Sequence, residues 1–349
     1  MGEMTSLERV QAVLNGRVPD RVPVIPQSFL FAAKTNGYDI GQINRNPRLM
    51  AESHRASQEK YGYDGCIIDV DDATLAEACG AKVIFRPDSV AVVDDAHPAV
   101  EDLRDVPALK LPDPERDGRL CEWMETAQRL MEMIGDHVFI MGRADQGPFD
   151  VLALLRGPQD FMCDLLTEDE DVILEALDWA TQAHIIFARA MRDISHCTSM
   201  GDSYAGPNLV SPEIYRKYAL PFEKRVVDAV QTPDKPYSIH ICGDASLILE
   251  DMAKTGARLF ELDWKVDMAQ ARRVMPKESV IMGNVNPSDP MYLGTPDQVL
   301  SQSKAIIEGT GGQGLILSSG CALGANTKPE NVEALVRAAR LYGRMEDLL

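Results

Sequence analysis

The chain has 349 residues, with 35 Lys and Arg against 54 Asp and Glu, a formal net charge of −19. That imbalance argues against a duplex nucleic-acid binder, whose affinity rests on clustered cations releasing counterions, and against a surface drawn to anionic lipid. At 45% hydrophobic and 26% charged residues the composition is that of a globular protein, and the length suits two average domains or one α/β barrel.

In chain order, Met1 to Ser6 shows neither the cationic nor the apolar region of a signal peptide. It fits the loose myristoylation pattern, but Ser6 reads better as the N-cap of an amphipathic helix through Leu7, Val10, Val13 and Leu14, stopped by Asn15-Gly16. Short β-rich runs then recur at Arg21–Pro26, Gly65–Val70, His137–Arg143, Cys197–Ser203, Tyr237–Cys242, Leu259–Asp263, Val280–Val285 and Gly314–Ser319. Helical patterns lie between them, at Asp169–Arg192, Pro212–Val230, Ala245–Lys254, Pro296–Glu308 and Pro329–Arg344. Strands alternating with helices imply parallel pairing through right-handed crossovers, and eight such runs predict a (β/α)8 TIM barrel with an N-terminal helix. A doubly wound sheet is the alternative, but no Gly-x-Gly-x-x-Gly follows an early strand to support a dinucleotide site.

The longest irregular interval, 74–136, lies between the second and third barrel strands. Ala81–Phe85 and Ser89–Asp94, joined by Arg86-Pro87-Asp88, read as a hairpin, and the Pro- and Asp-rich Val106–Gly118 leads into a helix at Leu120–Ile134. We expect one barrel domain over 1–349, with 74–136 as an elaboration forming a wall or lid at the mouth. No apolar run approaches the roughly 18 residues of a membrane span.

Seven cysteines, at 66, 79, 121, 163, 197, 242 and 321, make an odd count scattered through apolar segments. That is cytoplasmic usage, with Cys as a small core residue, a nucleophile or a metal ligand. Cys66, Cys79 and Cys163 are expected to pack. His54, His97, His137, His184 and His196 are isolated, which fits solvated or hydrogen-bonded roles.

In a TIM barrel the working residues sit at the C-terminal ends of the strands. The fifth barrel strand ends in His240-Ile241-Cys242-Gly243-Asp244, and the eighth in Ser318-Ser319-Gly320-Cys321. His240 and Cys242, two apart on a strand, share a face, and Cys321 can reach them across the mouth. One imidazole and two thiolates suit Zn²⁺, with a position left open for substrate. The competing interpretation is that both cysteines simply pack in the core.

These residues, with Thr327-Lys328-Pro329-Glu330-Asn331, resemble the uroporphyrinogen decarboxylase superfamily, and within it the zinc-dependent cobamide methyltransferases: coenzyme M methylases and the methyltransferase components of corrinoid O-demethylases. Asn15-Gly16-Arg17-Val18-Pro19-Asp20-Arg21-Val22-Pro23, Gly147-Pro148-Phe149, Leu209-Val210-Ser211-Pro212 and Gly283-Asn284-Val285 match as well, so the resemblance covers nearly the whole chain. It implies a TIM barrel with Zn²⁺ at the mouth, and a corrinoid (cobamide) cofactor carried by a partner protein. Decarboxylases of the superfamily hold substrate carboxylates with an Arg-rich segment after the first strand. Here Pro26-Gln27-Ser28-Phe29-Leu30-Phe31 offers no cation there.

Strand ends supply Asp69, Asp71, Asp72, Asp145, Asp202, Glu261 and Asp263 against Arg143 and Lys265. Such a mouth repels polycarboxylates and is a poor home for a sulfonated thiol. Glu261 or Asp202 is a candidate fourth oxygen ligand, and Asp244 or Asp263 a candidate to orient His240. Phe29, Phe31, Phe149, Tyr204 and Trp264 suggest an aromatic wall, with Arg143 and Asn284 as further substrate contacts. Asp202 and Tyr204 are the catalytic candidates, Tyr204 donating to a leaving oxygen. The favoured expectation is O-demethylation of a methoxylated aromatic onto a Co(I) corrinoid. The alternatives are methyl transfer from methylcobamide to coenzyme M, uroporphyrinogen decarboxylation, and a non-enzymatic corrinoid- or metal-binding module. A corrinoid protein, a small methylated substrate and a second copy of the chain are the expected partners.

Overall fold

Strands β1 (Gly65–Ile68), β4 (Phe139–Gln146), β5 (Cys197–Gly201), β6 (Tyr237–Ile241), β7 (Leu259–Leu262), β8 (Val280–Val285) and β9 (Leu315–Ser319) form one parallel ladder in that order. A separate antiparallel pair, β2 (Val83–Ile84) and β3 (Val92–Val93), is the expected hairpin. The computed structural model describes residues 3–87 and 89–348, so Asp88 of that hairpin's turn lies outside them.

The first predicted strand, Arg21–Pro26, is present only as a seam. Val24 makes a parallel bridge to Leu317 on β9, with Ile25 N donating to Leu317 O at 2.9 Å and Leu317 N to Pro23 O at 2.8 Å. On its other side Asp64 N donates to Val24 O at 2.6 Å. The segment therefore occupies the eighth position, between β9 and β1, but Pro23 and Pro26 lack the N–H groups that a full ladder needs. Side chains compensate. Buried Asp64 accepts from Val24 N at 2.8 Å, Ser6 Oγ at 2.9 Å, Arg9 Nη1 at 2.6 Å and Arg21 Nη1 at 2.7 Å.

The N-terminal helix Ser6–Leu14 plugs the floor of the ring. Its Val10, Val13 and Leu14 pack with inward residues of the strands, among them Ile67, Phe139, Met141, Leu259, Met282 and Ile316. Its N-cap is Thr5 rather than Ser6, because Glu8 completes a reciprocal capping box with Thr5. A larger apolar layer lies between the strands' outer faces and the surrounding helices.

Most predicted helices are present, at Glu170–Asp193, Leu120–Ile134, Pro296–Thr310 and Pro329–Tyr342. The pattern over Pro212–Val230 is broken by a π turn at Tyr215–Ala219, just before Pro221, which has no N–H to carry the α ladder through. Helices at Phe29–Thr35, Pro47–Tyr61, Pro148–Arg156 and Pro158–Thr167 go beyond the expected set. Cys163, expected to pack, is exposed on the last of these; apolar neighbours in sequence do not say which helix face a residue takes. The 74–136 segment carries a further short helix, Thr74–Ala78. It docks through Ala99 N donating to Leu155 O at 2.9 Å. No helix among the described residues is long and apolar enough to cross a membrane.

Candidate metal centre and substrate cavity

The C-terminal ends of β6 and β9 bring His240, Cys242 and Cys321 together, with their ligand atoms all within 4.8 Å of one another. His240 Nε2 is 3.0 Å from Cys242 Sγ, and the two sulfurs are 3.7 Å apart. Two thiolates on one tetrahedral zinc, at about 2.3 Å each, stand about 3.8 Å apart, so the donor set fits that ion in spacing as well as in softness. His240 Nδ1 lies 3.0 Å from the main-chain oxygen of Glu261. A carbonyl can only accept, so Nδ1 carries a proton and Nε2 is the ring nitrogen turned toward the sulfurs, the one a metal would take once its proton is displaced.

Two glycines allow this approach. Gly243 has φ +88°, and a Cβ there would meet the Asn208 side chain. At Gly320 a Cβ would lie 2.3 Å from Trp264 N and 2.8 Å from its Cα. Gly320→Ala is therefore expected to displace the Cys321 loop, weakening zinc binding at least about tenfold while costing on the order of 1–3 kcal/mol of stability. Zinc titration against a competing chelator reads the first effect and urea unfolding the second.

Electrostatics prepare the thiols. The bond to Cys321, with His240 alongside, holds the Cys242 thiol down at about 3. Burial alone would lower His240, but the Cys242 charge outweighs it and lifts the imidazole to about 9. Cys321 is pushed up, first by its bond to Cys242 and then by burial. Metal-free, the cluster is an imidazolium–thiolate pair with a neighbouring thiol, and metal binding displaces the remaining protons.

A cavity of about 310 Å³ opens beside the triad, lined by Gln27, Phe29, Asp69, Asp72, Arg143, Gln146, Asp150, Leu154, Ser203, Tyr204 and Ala322 among others. A second hollow outside it, bounded by Leu209, Asp263, Trp264 and Lys265, shares the Cys242 and Tyr204 walls.

Of the anticipated contacts, Phe29, Arg143 and Tyr204 thus line the cavity, and Trp264 stands on the outer rim. Phe31 packs instead on Tyr61 with ring centroids 5.3 Å apart, and Phe149 on Phe161 at 4.9 Å, both inside the helical layer. Asn284 is turned away, its Nδ2 donating to Asp263 O at 2.9 Å and Val266 O at 2.6 Å.

Glu261 offers no free oxygen to a metal. Oε1 accepts from Ser238 Oγ at 2.9 Å and Oε2 from Arg143 Nη2 at 2.7 Å. Arg143 reaches Asp69 as well, Nε to Oδ2 at 2.7 Å, so one buried guanidinium ties β4 to both β1 and β7. Neither Asp244 nor Asp263 orients His240. Asp244 is exposed and caps Ser246 N at 3.0 Å, and Asp263 accepts from Lys265 N at 2.9 Å. The orienting acceptor is a backbone carbonyl, which no residue-type search could have flagged.

Asp202 is also removed from the cavity. Its Oδ1 accepts from Asp150 N at 2.8 Å, while Asp150 accepts from Ser203 N at 2.8 Å and Tyr204 N at 2.7 Å. Burial lifts Asp202 to about 7, and burial with the neighbouring Asp202 charge raises Asp150 as well. The pair is a brace for the Ser203–Tyr204 turn, and Ser203 Oγ in turn accepts from Cys242 N at 3.2 Å. Sequence reasoning passed over Asp150 and Ser203. Asp150 sits in the first turn of a helix that follows a strand end, which is the one signal available for it.

The chain matches the uroporphyrinogen decarboxylase (URO-D) family over residues 5–342. It is 27% identical to a methylcobamide:CoM methyltransferase, MtbA, of Methanosarcina acetivorans, covering 98% of this chain and 99% of that one. It is 28% identical to a methylated-thiol–coenzyme M methyltransferase of Methanosarcina mazei, covering 100% of this chain and 94% of that one. A solved methyltransferase from Methanosarcina mazei superposes with a TM-score of 0.88 at 27% identity, covering 97% of this chain and 99% of that one. With the barrel, the strand-end site and a match that runs almost from end to end, the chain belongs to the uroporphyrinogen decarboxylase (URO-D) family.

Proposed function

We propose that this protein is a zinc-dependent methyltransferase that moves a methyl group between the corrinoid of a partner protein and a small thiol. The observation that carries this reading is the His240–Cys242–Cys321 cluster: two sulfurs 3.7 Å apart and an imidazole whose free nitrogen faces them. Three protein ligands leave a coordination position for substrate, which distinguishes a catalytic zinc from a structural one and argues against a mere metal-binding module.

Zinc, when bound, supplies a Lewis acid that keeps a substrate thiol ionised near neutral pH. Cys242 and Cys321 would hold it as thiolates, and His240, fixed by the Glu261 carbonyl, would be the third ligand. Phe29, Leu154 and Tyr204 form the less polar part of the wall and shed water from the sulfur. The transfer would form a sulfur–carbon bond in exchange for the methyl–cobalt bond, whose electron pair would stay with the partner's corrinoid. The thiol proton is released on binding. The hollow bounded by Leu209 and Trp264 at the mouth would give a partner's corrinoid access to the cluster.

The Methanosarcina relatives, named for methyl transfer to CoM and from methylated thiols, favour a thiol over an aromatic ether. The cavity supports the same choice, since two of the five aromatic residues that suggested a methoxy-aromatic wall, Phe31 and Phe149, are buried elsewhere. Decarboxylation of a polycarboxylate draws no support, because the cavity's guanidinium, Arg143, is already bound on two sides.

The test is the purified chain with methylcobalamin and simple thiols. We expect about one zinc per chain and thiol-dependent loss of methylcobalamin that a chelator abolishes. Demethylation of methoxy-aromatics by Co(I) cobalamin with no thiol methylation would reverse the direction. Release of CO2 from uroporphyrinogen without metal would overturn the reading.

A further inference from the structure

The charge of the cavity bears on the far end of the thiol, the part that is not methylated. Asp69, Asp72 and Asp150 line it, and among the described residues Arg143 is the only Lys or Arg that does. That guanidinium is held on Asp69 and Glu261 at 2.7 Å each and lies 6.0 Å from the centroid of the Phe29 ring. Two carboxylates thus face its single positive charge, so the guanidinium adds no net cation to the cavity. Asp72 differs from the other acids. Asp69 is paired and Asp150 is spent on two backbone N–H groups, whereas Asp72 accepts a single bond, Gln146 Nε2 to Oδ1 at 2.7 Å. Its Oδ2 is unengaged among the described residues. Asp72 lines the same cavity as His240 and Cys242.

Zinc with two thiolates is formally neutral, so a substrate thiolate makes the centre an anion with Asp72 facing it. An anionic tail adds like charge in a partly enclosed space, and a cationic tail neutralises it.

We infer that the thiol used here is an aminothiol, with its ammonium group taken by Asp72, and that sulfonated and carboxylated thiols are disfavoured. This rests on the zinc–thiol reading above and narrows it. A competing cation, Lys265, is exposed in the outer hollow, with its ammonium 5.7 Å from the centroid of the Trp264 ring.

The experiment is a thiol titration of the full-length protein loaded with Co²⁺ in place of zinc, followed by the thiolate-to-cobalt absorption band. Three probes share one skeleton: 2-aminoethanethiol, 2-mercaptoethanol and 2-mercaptoethanesulfonate, compared at equal thiolate concentration. We expect affinity to fall in that order, with at least about tenfold between the first and the last. Asp72→Asn should bring the two within about threefold while leaving metal content unchanged, and Asp72→Lys should invert the order. Equal or tighter binding of the sulfonate by the unaltered protein overturns the inference, as does a ratio that survives Asp72→Asn. A sulfonate preference that vanishes in Lys265→Ala would overturn it too and locate the anion anchor outside. Because binding is read without turnover, absence of methyl transfer with all three thiols counts against the proposed reaction and not against this ranking. A chain that takes up no metal defeats both.

Discussion

Replacing Cys321 with alanine is expected to leave a folded barrel that loses zinc to a moderate chelator and loses methyl transfer by at least about 10³-fold. The first part follows from where the residue sits. Cys321 lies just beyond β9 at the mouth, is only partly buried and belongs to neither apolar cluster, so truncation opens no core cavity. The second part follows from the donor set: two ligands cannot hold a labile ion that three hold, and the Lewis-acid contribution, several kcal/mol, is lost with it. At about 1.4 kcal/mol per factor of ten, three decades is the low end. His240→Ala should match this loss of metal, whereas Cys163→Ala, on an exposed helix face, serves as the control. Metal analysis beside circular dichroism checks both halves. A Cys321→Ala protein that keeps one zinc and its activity would remove the triad from the chemistry.

The second large effect is on stability. Arg143→Met should cost on the order of 3–5 kcal/mol, because it removes the charge between two buried carboxylates while keeping much of the volume. Asp69 would be left against Glu261 with both side chains buried, and burial already lifts Asp69 well above the usual carboxylate range. Arg143→Lys should recover only part, since one ammonium cannot make both 2.7 Å contacts that the planar guanidinium makes. Urea denaturation at pH 7 measures this. A loss below about 1 kcal/mol would mean that Asp69 and Glu261 share a proton without the guanidinium.

How far this could be read beforehand follows from what a residue pattern encodes. Parallel strands covered on both faces are continuous apolar runs, so β1 and β4 through β9 stand out from their flanking Gly and Asp residues. The seam strand also stands out, but its two prolines reduce it to a bridge. The His/Cys/Cys cluster was legible because His240 and Cys242 obey the strand's period of two and Cys321 follows the opposite strand. The cavity wall was not. Asp71 and Asp72 are adjacent in a loop that has no period, yet Asp71 is buried on Arg119 at 2.6 Å while Asp72 faces the cavity. Phe31 and Phe149 begin helices whose inward faces depend on docking. Asp202 and Asp150 look alike on paper, and only the reciprocal N–H bonds assign both to bracing a turn.

The histidine's orientation is held by a main-chain oxygen, set by the register that places His240 beside Glu261 across β6 and β7. A carboxylate in that role could be deleted by one base change, leaving the ring free to flip. A carbonyl cannot be deleted by any change of side chain, so the tautomer persists for as long as the two strands stay in step. The cavity wall around it is made of side chains that can each be exchanged. The fold thus separates a His/Cys/Cys cluster whose geometry is fixed by strand register from a cavity contour fixed by individual side chains.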